Sequence, residues 1–161
     1  MKKYIVIIIS MAICACSTLK QQPSNTKQQK YIKLEKFKGD TLKFIQTSIL
    51  NRKEFYKGKE LNVLLKDLAI PIKRYTTGQS FRPKNQSPDI SLYFYNDTEK
   101  DLKIAKKKDP IIVTVVWQTP LNTSDVISLI RKYPNWTPEI QEYFGKQIVK
   151  DVGKVNFGFN K

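Results

Sequence analysis

Ile90-Ser91-Leu92-Tyr93-Phe94-Tyr95 and, sixteen residues further on, Ile111-Ile112-Val113-Thr114-Val115-Val116-Trp117 decide the fold class. In the first stretch Ile90, Leu92 and Phe94 alternate with Ser91, Tyr93 and Tyr95, the period-two pattern of a half-buried strand. The second is an almost unbroken β-branched run, which predicts a strand covered on both faces. Between them lies a charged connector from Asn96 to Asp109, too polar to pack on both sides and read here as the solvated tip of a hairpin. Residues 71–75 form a further short strand candidate. The stretch TTGQSFRPKNQSP after it is rich in turn-formers and predicts a long loop.

Helical spacing flanks the strands on both sides. Asp40 can cap a helix running to about Lys57, with Leu42, Ile45, Ile49 and Tyr56 near one face and Gly58 as a stop. Leu61, Leu64, Leu65 and Leu68 recur at i, i+3, i+4 and i+7 and mark a second helix, ended by Ile70-Pro71. Asn122 or Thr123 opens a third, carrying Val126, Ile127, Leu129 and Ile130 as far as Tyr133-Pro134. Thr137-Pro138-Glu139 restarts a fourth: a capping hydroxyl, Pro at the first helical position, then an acid in the first turn. Val155, Phe157 and Phe159 alternate and suggest a terminal strand. The predicted order is ααβββααβ. Strands and helices do not alternate singly, so the expected class is α+β, with a mostly antiparallel sheet of about four strands and helices packed on one face.

The N-terminus carries a different signal. Met1-Lys2-Lys3 is a short basic start, and an uncharged stretch of about thirteen residues runs from Tyr4 to Cys16 with Ile5–Ile9 at its centre. A bilayer-spanning helix needs roughly 20 apolar residues, so this stretch fits the apolar region of a secretion signal instead. It closes Ile13-Cys14-Ala15-Cys16, which resembles the lipobox of bacterial lipoproteins: an aliphatic residue, a tolerated residue, a small residue, then Cys. Ala15 occupies the small position before the cut and Cys16 the lipidated one; Cys14 falls at the second, permissive position, which usually holds Ser, Ala, Thr or Val. The resemblance covers residues 1–16. It implies a signal peptide over 1–15, a lipid anchor on Cys16 and a location on the cell membrane. In a Gram-negative cell, Ser17 in place of Asp after the cysteine implies the outer membrane, facing the periplasm. Residues 16–30 are nearly devoid of apolar side chains and read as a flexible tether to a single globular domain over 31–161. At about 5–6 Å × √n, fifteen residues reach roughly 20 Å.

Composition narrows the chemistry. Of 29 basic side chains, Lys2 and Lys3 leave with the signal, so 27 remain against 14 acidic ones, a net charge near +13. The chain has no histidine, and after Ala15 its only cysteine is Cys16. Zinc and most transition-metal sites rely on imidazole or thiolate, and Ser-His-Asp and Cys-His catalysis need histidine. A metal centre and a cofactor are therefore not expected. No disulfide can form inside the mature domain, so packing alone must hold it.

Several constellations remain. Asn96-Asp97-Thr98-Glu99-Lys100-Asp101 concentrates oxygen donors, but a calcium loop of the EF-hand type needs Gly at its sixth position and Glu at its twelfth; here those are Asp101 and Lys107. Lys100, Lys103, Lys106, Lys107 and Lys108 make a dense positive patch, which either keeps a strand edge soluble or meets an anionic surface. Tyr93 and Tyr95 share one side of their strand and could line an open face, as in glycan binding. Basic and aromatic residues interleave at Lys73-Arg74-Tyr75, Phe81-Arg82 and Arg131-Lys132-Tyr133 with Trp136, as in nucleic-acid stacking platforms, yet no RRM, KH or zinc-knuckle pattern accompanies them and export removes that substrate. Asp89, Glu139 and Glu142 could supply a glycosidase pair, and Ser124 with Lys132 a Ser-Lys pair, but no spacing singles them out.

The sequence thus points to a monomeric, membrane-anchored envelope lipoprotein, a non-enzymatic binding or structural module with a basic surface. Its partner classes are anionic envelope glycan, lipid headgroups or another envelope protein, not nucleic acid. The rival expectation is a carboxylate-based hydrolase of cell-wall glycan or peptide, which a cleft with two convergent carboxylates would favour. The anchor has its own test. Cys16→Ser is expected to leave the precursor uncut or to release the domain from membranes. An intact mass showing an unmodified Cys16 in the wild type overturns the lipobox reading.

Overall fold

The computed structural model describes residues 29–80 and 83–159; the signal, Ala15, Cys16 and nearly all of the tether lie outside them. The fold is α+β. Four antiparallel strands, β1 (Arg74–Thr77), β2 (Gln86–Tyr93), β3 (Ile112–Asn122) and β4 (Val149–Lys154), form one sheet in the order β1-β2-β3-β4. Alternation does the sorting, since successive strand side chains point to opposite faces. Ile90 and Leu92 of β2, Val113, Val115 and Trp117 of β3, and Val149 and Val152 of β4 are buried, as is Tyr75 of β1. They meet Phe44, Ile45, Ile49, Tyr56, Leu61, Leu64, Leu68, Val126, Ile140 and Phe144 from the helices in one core. Trp117 and Phe144 lie parallel with ring centroids 6.0 Å apart.

Apart from Ile112, buried at the start of the strand, the β-branched run of β3 is buried along one face rather than two. Thr114 and Val116 are only half-buried. Thr114 stands in a polar row with Ser91 and Thr76, and its Oγ1 lies 3.1 Å from Ser91 Oγ. The continuous pattern reflects the pleated-backbone preference of Val, Ile and Thr, not a second covering layer. Pro88 lacks an N–H for the ladder; it falls where the β2–β3 register shifts between Ser87 and Asp89, the kind of irregularity that admits proline inside a sheet.

The helix expected from Asp40 is present as one helical path over residues 41–56, but not as a uniform one. α1 (Thr41–Phe44) passes into a π-helical turn at Ile45–Ile49, a 3-10 turn at Leu50–Arg52 and then α2 (Lys53–Tyr56). The wide turn lets Phe44, Ile45, Ser48, Ile49, Arg52 and Tyr56 all turn inward, which a strict 3.6-residue period would not. Gly58, at φ +72, ends the path in a conformation open to glycine. The remaining α-helices are α3 (Leu61–Leu68), α4 (Asp97–Ala105), α5 (Thr123–Lys132) and α6 (Pro138–Gly145), and a 3-10 turn at Leu34–Phe37 precedes them all. Asn122 and Thr137 cap α5 and α6 as their sequences predict.

Two further expectations are corrected. The connector from Asn96 to Asp109 is not a bare hairpin tip: it contains α4. Asn96 Oδ1 accepts from Glu99 N at 2.8 Å, and Glu99 answers by accepting from Asn96 N at 3.0 Å, a reciprocal capping box. The terminal strand is also displaced. β4 ends at Lys154, and Val155, Phe157 and Phe159 lie beyond it in irregular structure, Phe157 stacked on Phe159 at 5.7 Å.

One buried polar cluster ties the entry of the chain to the helical layer. Arg52, 8 % exposed, donates to Asp67 Oδ2 at 3.0 Å and to Tyr56 Oη at 3.1 Å. Tyr56 donates to the same carboxylate at 2.9 Å, and Tyr31 Oη donates to Asp67 O at 3.0 Å. Burial, then the bond to Asp67, holds the Tyr56 phenol far above its ordinary range, so it stays a donor. Core side chains run from Phe44 to Val152 and Tyr31 opens this cluster, so a chain starting at Ser17 retains the whole packed unit. Such a chain is expected to unfold in urea in one transition, indifferent to reductant and to chelator. Asp67→Ala leaves the Arg52 cation buried and uncompensated, which costs about 3 kcal/mol; Glu142→Ala, at an exposed pair with Lys146, is expected not to move the midpoint. Equal midpoints for wild type and Asp67→Ala would show the cluster to be energetically idle.

Candidate functional site

α4 joins the end of β2 to the start of β3, so it sits at one end of the sheet, and the start of α5 sits at the other. The lysines that the sequence brings into question therefore gather at the α4 end. There Tyr95, Lys103, Lys107 and Lys108 line a groove of about 370 Å³ against Gly39, Thr41 and Leu42 at the start of the helical path. A second depression of about 330 Å³ shares Asp40, Leu42 and Asp109 with it and adds Lys43 and Lys154. Lys103 Nζ stands 4.2 Å from the Tyr95 ring centroid, a cation held over an electron-rich face.

The charge balance of the groove follows from which partners are already engaged. Asp40 Oδ1 accepts from Lys43 N at 2.9 Å and is committed to its helix cap. Asp109 Oδ1 accepts from Ile111 N at 2.7 Å, and Oδ2 is bonded to Lys154. Lys103, Lys107 and Lys108 pair with no carboxylate among the described residues. Lys100 differs: it lies 3.0 Å from Asp97 and 3.4 Å from Asp101. The Asp97 bond first, then the nearby acids, raises its pKa. Lys106 is exposed and lies outside the groove lining.

The wall of the groove is strained. Ile111 is buried and β-branched, yet holds φ at +54, and Lys107 holds φ at +52. Conformations of this kind cost about 1–3 kcal/mol each and persist only where surrounding structure enforces them. At Ile111 the bond to Asp109, itself clamped by Lys154, does so.

The two tyrosines part company. Tyr93 is on the outer face of the sheet, its ring under the Arg74 guanidinium at 4.9 Å and its Oη 3.3 Å from Thr76 Oγ1. Tyr95 lies past the end of β2 and belongs to the groove, so they do not form one platform. Nor do the described basic–aromatic runs form one: Tyr75 is buried against Trp136 and Phe144 and donates to Tyr133 O at 2.7 Å, while Phe81 and Arg82 lie outside the described residues.

The candidate catalytic groups stay apart. Asp89, on β2, packs its carboxylate on Gly78, where a Cβ would approach to 2.6 Å; burial raises its pKa. Glu139 is lowered by its bond to Thr137 and Glu142 by its bond to Lys146, both exposed on α6. None of the described cavities holds Asp89 with either. Ser124 and Lys132 sit on α5 eight residues apart, about 12 Å along the axis. Among the described residues there is no cluster of three metal-ligating side chains and no helix long and apolar enough to cross a membrane.

Sequence reasoning missed Lys43, Asp109, Ile111 and Lys154 as parts of this end of the molecule. They come from three separate segments, Asp109 and Ile111 sharing one, and no local pattern in the chain links the three. No family model, no curated protein and no solved structure matches the chain.

Proposed function

We propose that this chain is a lipid-anchored envelope protein, monomeric and without catalytic chemistry of its own, whose domain holds a basic end against an anionic component of the envelope. The observation that carries the reading is the convergence of Lys103, Lys107 and Lys108, unpaired among the described residues, on one groove. The lipobox-like Ile13-Cys14-Ala15-Cys16 supplies the anchor and the compartment. The tether keeps the domain within roughly 20 Å of the membrane, and a positive potential is felt over about 8 Å at physiological salt. Attraction of this kind needs no deep pocket, and the groove is shallow.

The test is adsorption against salt. A chain starting at Ser17 is expected to co-sediment with vesicles containing phosphatidylglycerol, or to be retained on immobilised polygalacturonate, at low salt and to be released as salt rises. A lysine near an anionic membrane contributes about 1 kcal/mol, so replacing Lys103, Lys107 and Lys108 together by Gln should weaken vesicle binding by about two orders of magnitude. Absence of adsorption to either surface, or adsorption unaffected by the triple replacement, overturns the proposal.

A further inference from the structure

α4 is a nine-residue helix with no buried residue. Its stability comes from its own ends: the Asn96–Glu99 capping box, Asp97 and Glu99 in the first turn and Lys103 in the last. A helix held in this way has its outward side available. That side carries Leu102, 54 % exposed and one of three large hydrophobic residues exposed among the described ones. Lys106 follows one turn later, its N–H bonded to Leu102 O at 3.2 Å, so Leu102 and Lys106 are neighbours on the helix surface. Lys103, Lys107 and Lys108 turn to the groove beside them. A single exposed leucine needs no explanation. A leucine one turn from Lys106 and beside a groove lined by Lys103, Lys107 and Lys108, none of the four with a carboxylate partner among the described residues, on a helix with no fully buried residue, combines an apolar tip with positive charge, as interfacial helices do.

We infer that α4 docks the domain on an anionic bilayer surface: Leu102 enters the boundary between headgroups and acyl chains, while Lys103, Lys106, Lys107 and Lys108 meet lipid phosphates. The inference deepens the function proposed above and rests on it, choosing lipid over glycan as the anionic component. Charge complementarity favours both partners. Leu102 favours lipid, because an acidic polysaccharide offers no apolar layer to receive it. The Lys103 ammonium over Tyr95 also occupies one face of that ring, where a sugar would stack.

The chain starting at Ser17 has no cysteine, so Leu102→Cys creates a single labelling site for an environment-sensitive fluorophore. Ser124→Cys, exposed at the opposite end of the sheet, is the control. With vesicles of phosphatidylcholine and phosphatidylglycerol, the label at position 102 is expected to shift to shorter wavelength and to be quenched by brominated acyl chains. The label at position 124 should do neither, and vesicles of phosphatidylcholine alone should leave both unchanged. In the unlabelled chain, Leu102→Asp is expected to lower the partition coefficient on the order of tenfold with its urea midpoint unchanged. Sedimentation with the label at 102 still in water overturns insertion but leaves electrostatic adsorption standing. Retention on polygalacturonate without vesicle binding overturns the lipid assignment and keeps an anionic partner. Binding to neither removes both readings, and equal shifts at 102 and 124 overturn docking through α4.

Discussion

The pairing of β2 with β3 is the constraint on which the other parts of the molecule depend. These are the two central strands, and their register sets Ile90 opposite Val115 and Leu92 opposite Val113. A slip of one residue would exchange Ile90 and Leu92 for their neighbours: Ser91 and Tyr93 would face the core, and Ile90 and Leu92 would face out. The cost of burying an unpaired hydroxyl forbids that exchange. With the register held, the ends of the ladder are held too. One end emits α4 and the groove, and the other emits α5, so the surface chemistry of the molecule is positioned by an apolar choice made in its middle.

The helical layer obeys a second constraint, a polar one. Arg52 is nearly buried, and a guanidinium cannot shed its charge; its position is tolerable because Asp67, Tyr56 and Ser48 O surround it. Pairs of this kind bring less net stability than apolar packing, yet removing one partner is costly. What the cluster contributes is definition. It fixes α3 against the 41–56 path through Asp67, and it fixes the entry of the chain through Tyr31, whose ring also stands 5.1 Å from Arg52. The irregular π turn at Ile45–Ile49 fits this account, since it brings Ser48 and Arg52 inward together with the apolar residues.

Much of this was legible from periodicity. The alternation of Ile90, Leu92 and Phe94, the leucine spacing of α3 and the caps at Asn122 and Thr137 each name an element, because each is a local signal of a local structure. The failures also have physical causes. Asn96-Asp97-Thr98-Glu99 carries the capping-box pattern, but the helix after it has no apolar stripe, and amphipathic reading is blind to a helix with no fully buried side chain. The run Ile111–Trp117 looks doubly covered because β-branched residues serve strand geometry as well as burial. Val155 still donates its N–H to Ile112 O at the start of β3, but Phe157 and Phe159 lie past the end of that strand and outside the ladder that Val149–Lys154 form with it. The groove was half legible. Lys107, Lys108 and Asp109 are consecutive in sequence and Lys103 lies one helical turn before them, whereas Lys43 and Lys154 join them only through the fold.

The surplus of base over acid makes unpaired lysines inevitable, so their existence says little; their distribution says more. Along much of the surface the acids are placed to meet bases: Glu54 and Asp151 with Lys57, Glu142 with Lys146 and, at the first turn of α4, Asp97 with Arg74 and Lys100. In the groove beside the last turn of α4 the opposite holds. Asp40 and Asp109, the two carboxylates in reach of the groove, are directed to a helix cap and to Lys154, which leaves the lysines beside them unneutralised. The same segment holds Lys107 and Ile111 at positive φ, a cost that a sequence free to vary at either position could avoid with glycine. Mutual repulsion among Lys103, Lys106, Lys107 and Lys108 adds to that cost in the isolated domain. A solubilising loop would gain as much from lysines spread along the chain and from a relaxed backbone. Concentrated charge next to an exposed leucine is instead what the proposed docking would use, since lipid phosphates would offset the repulsion among the lysines.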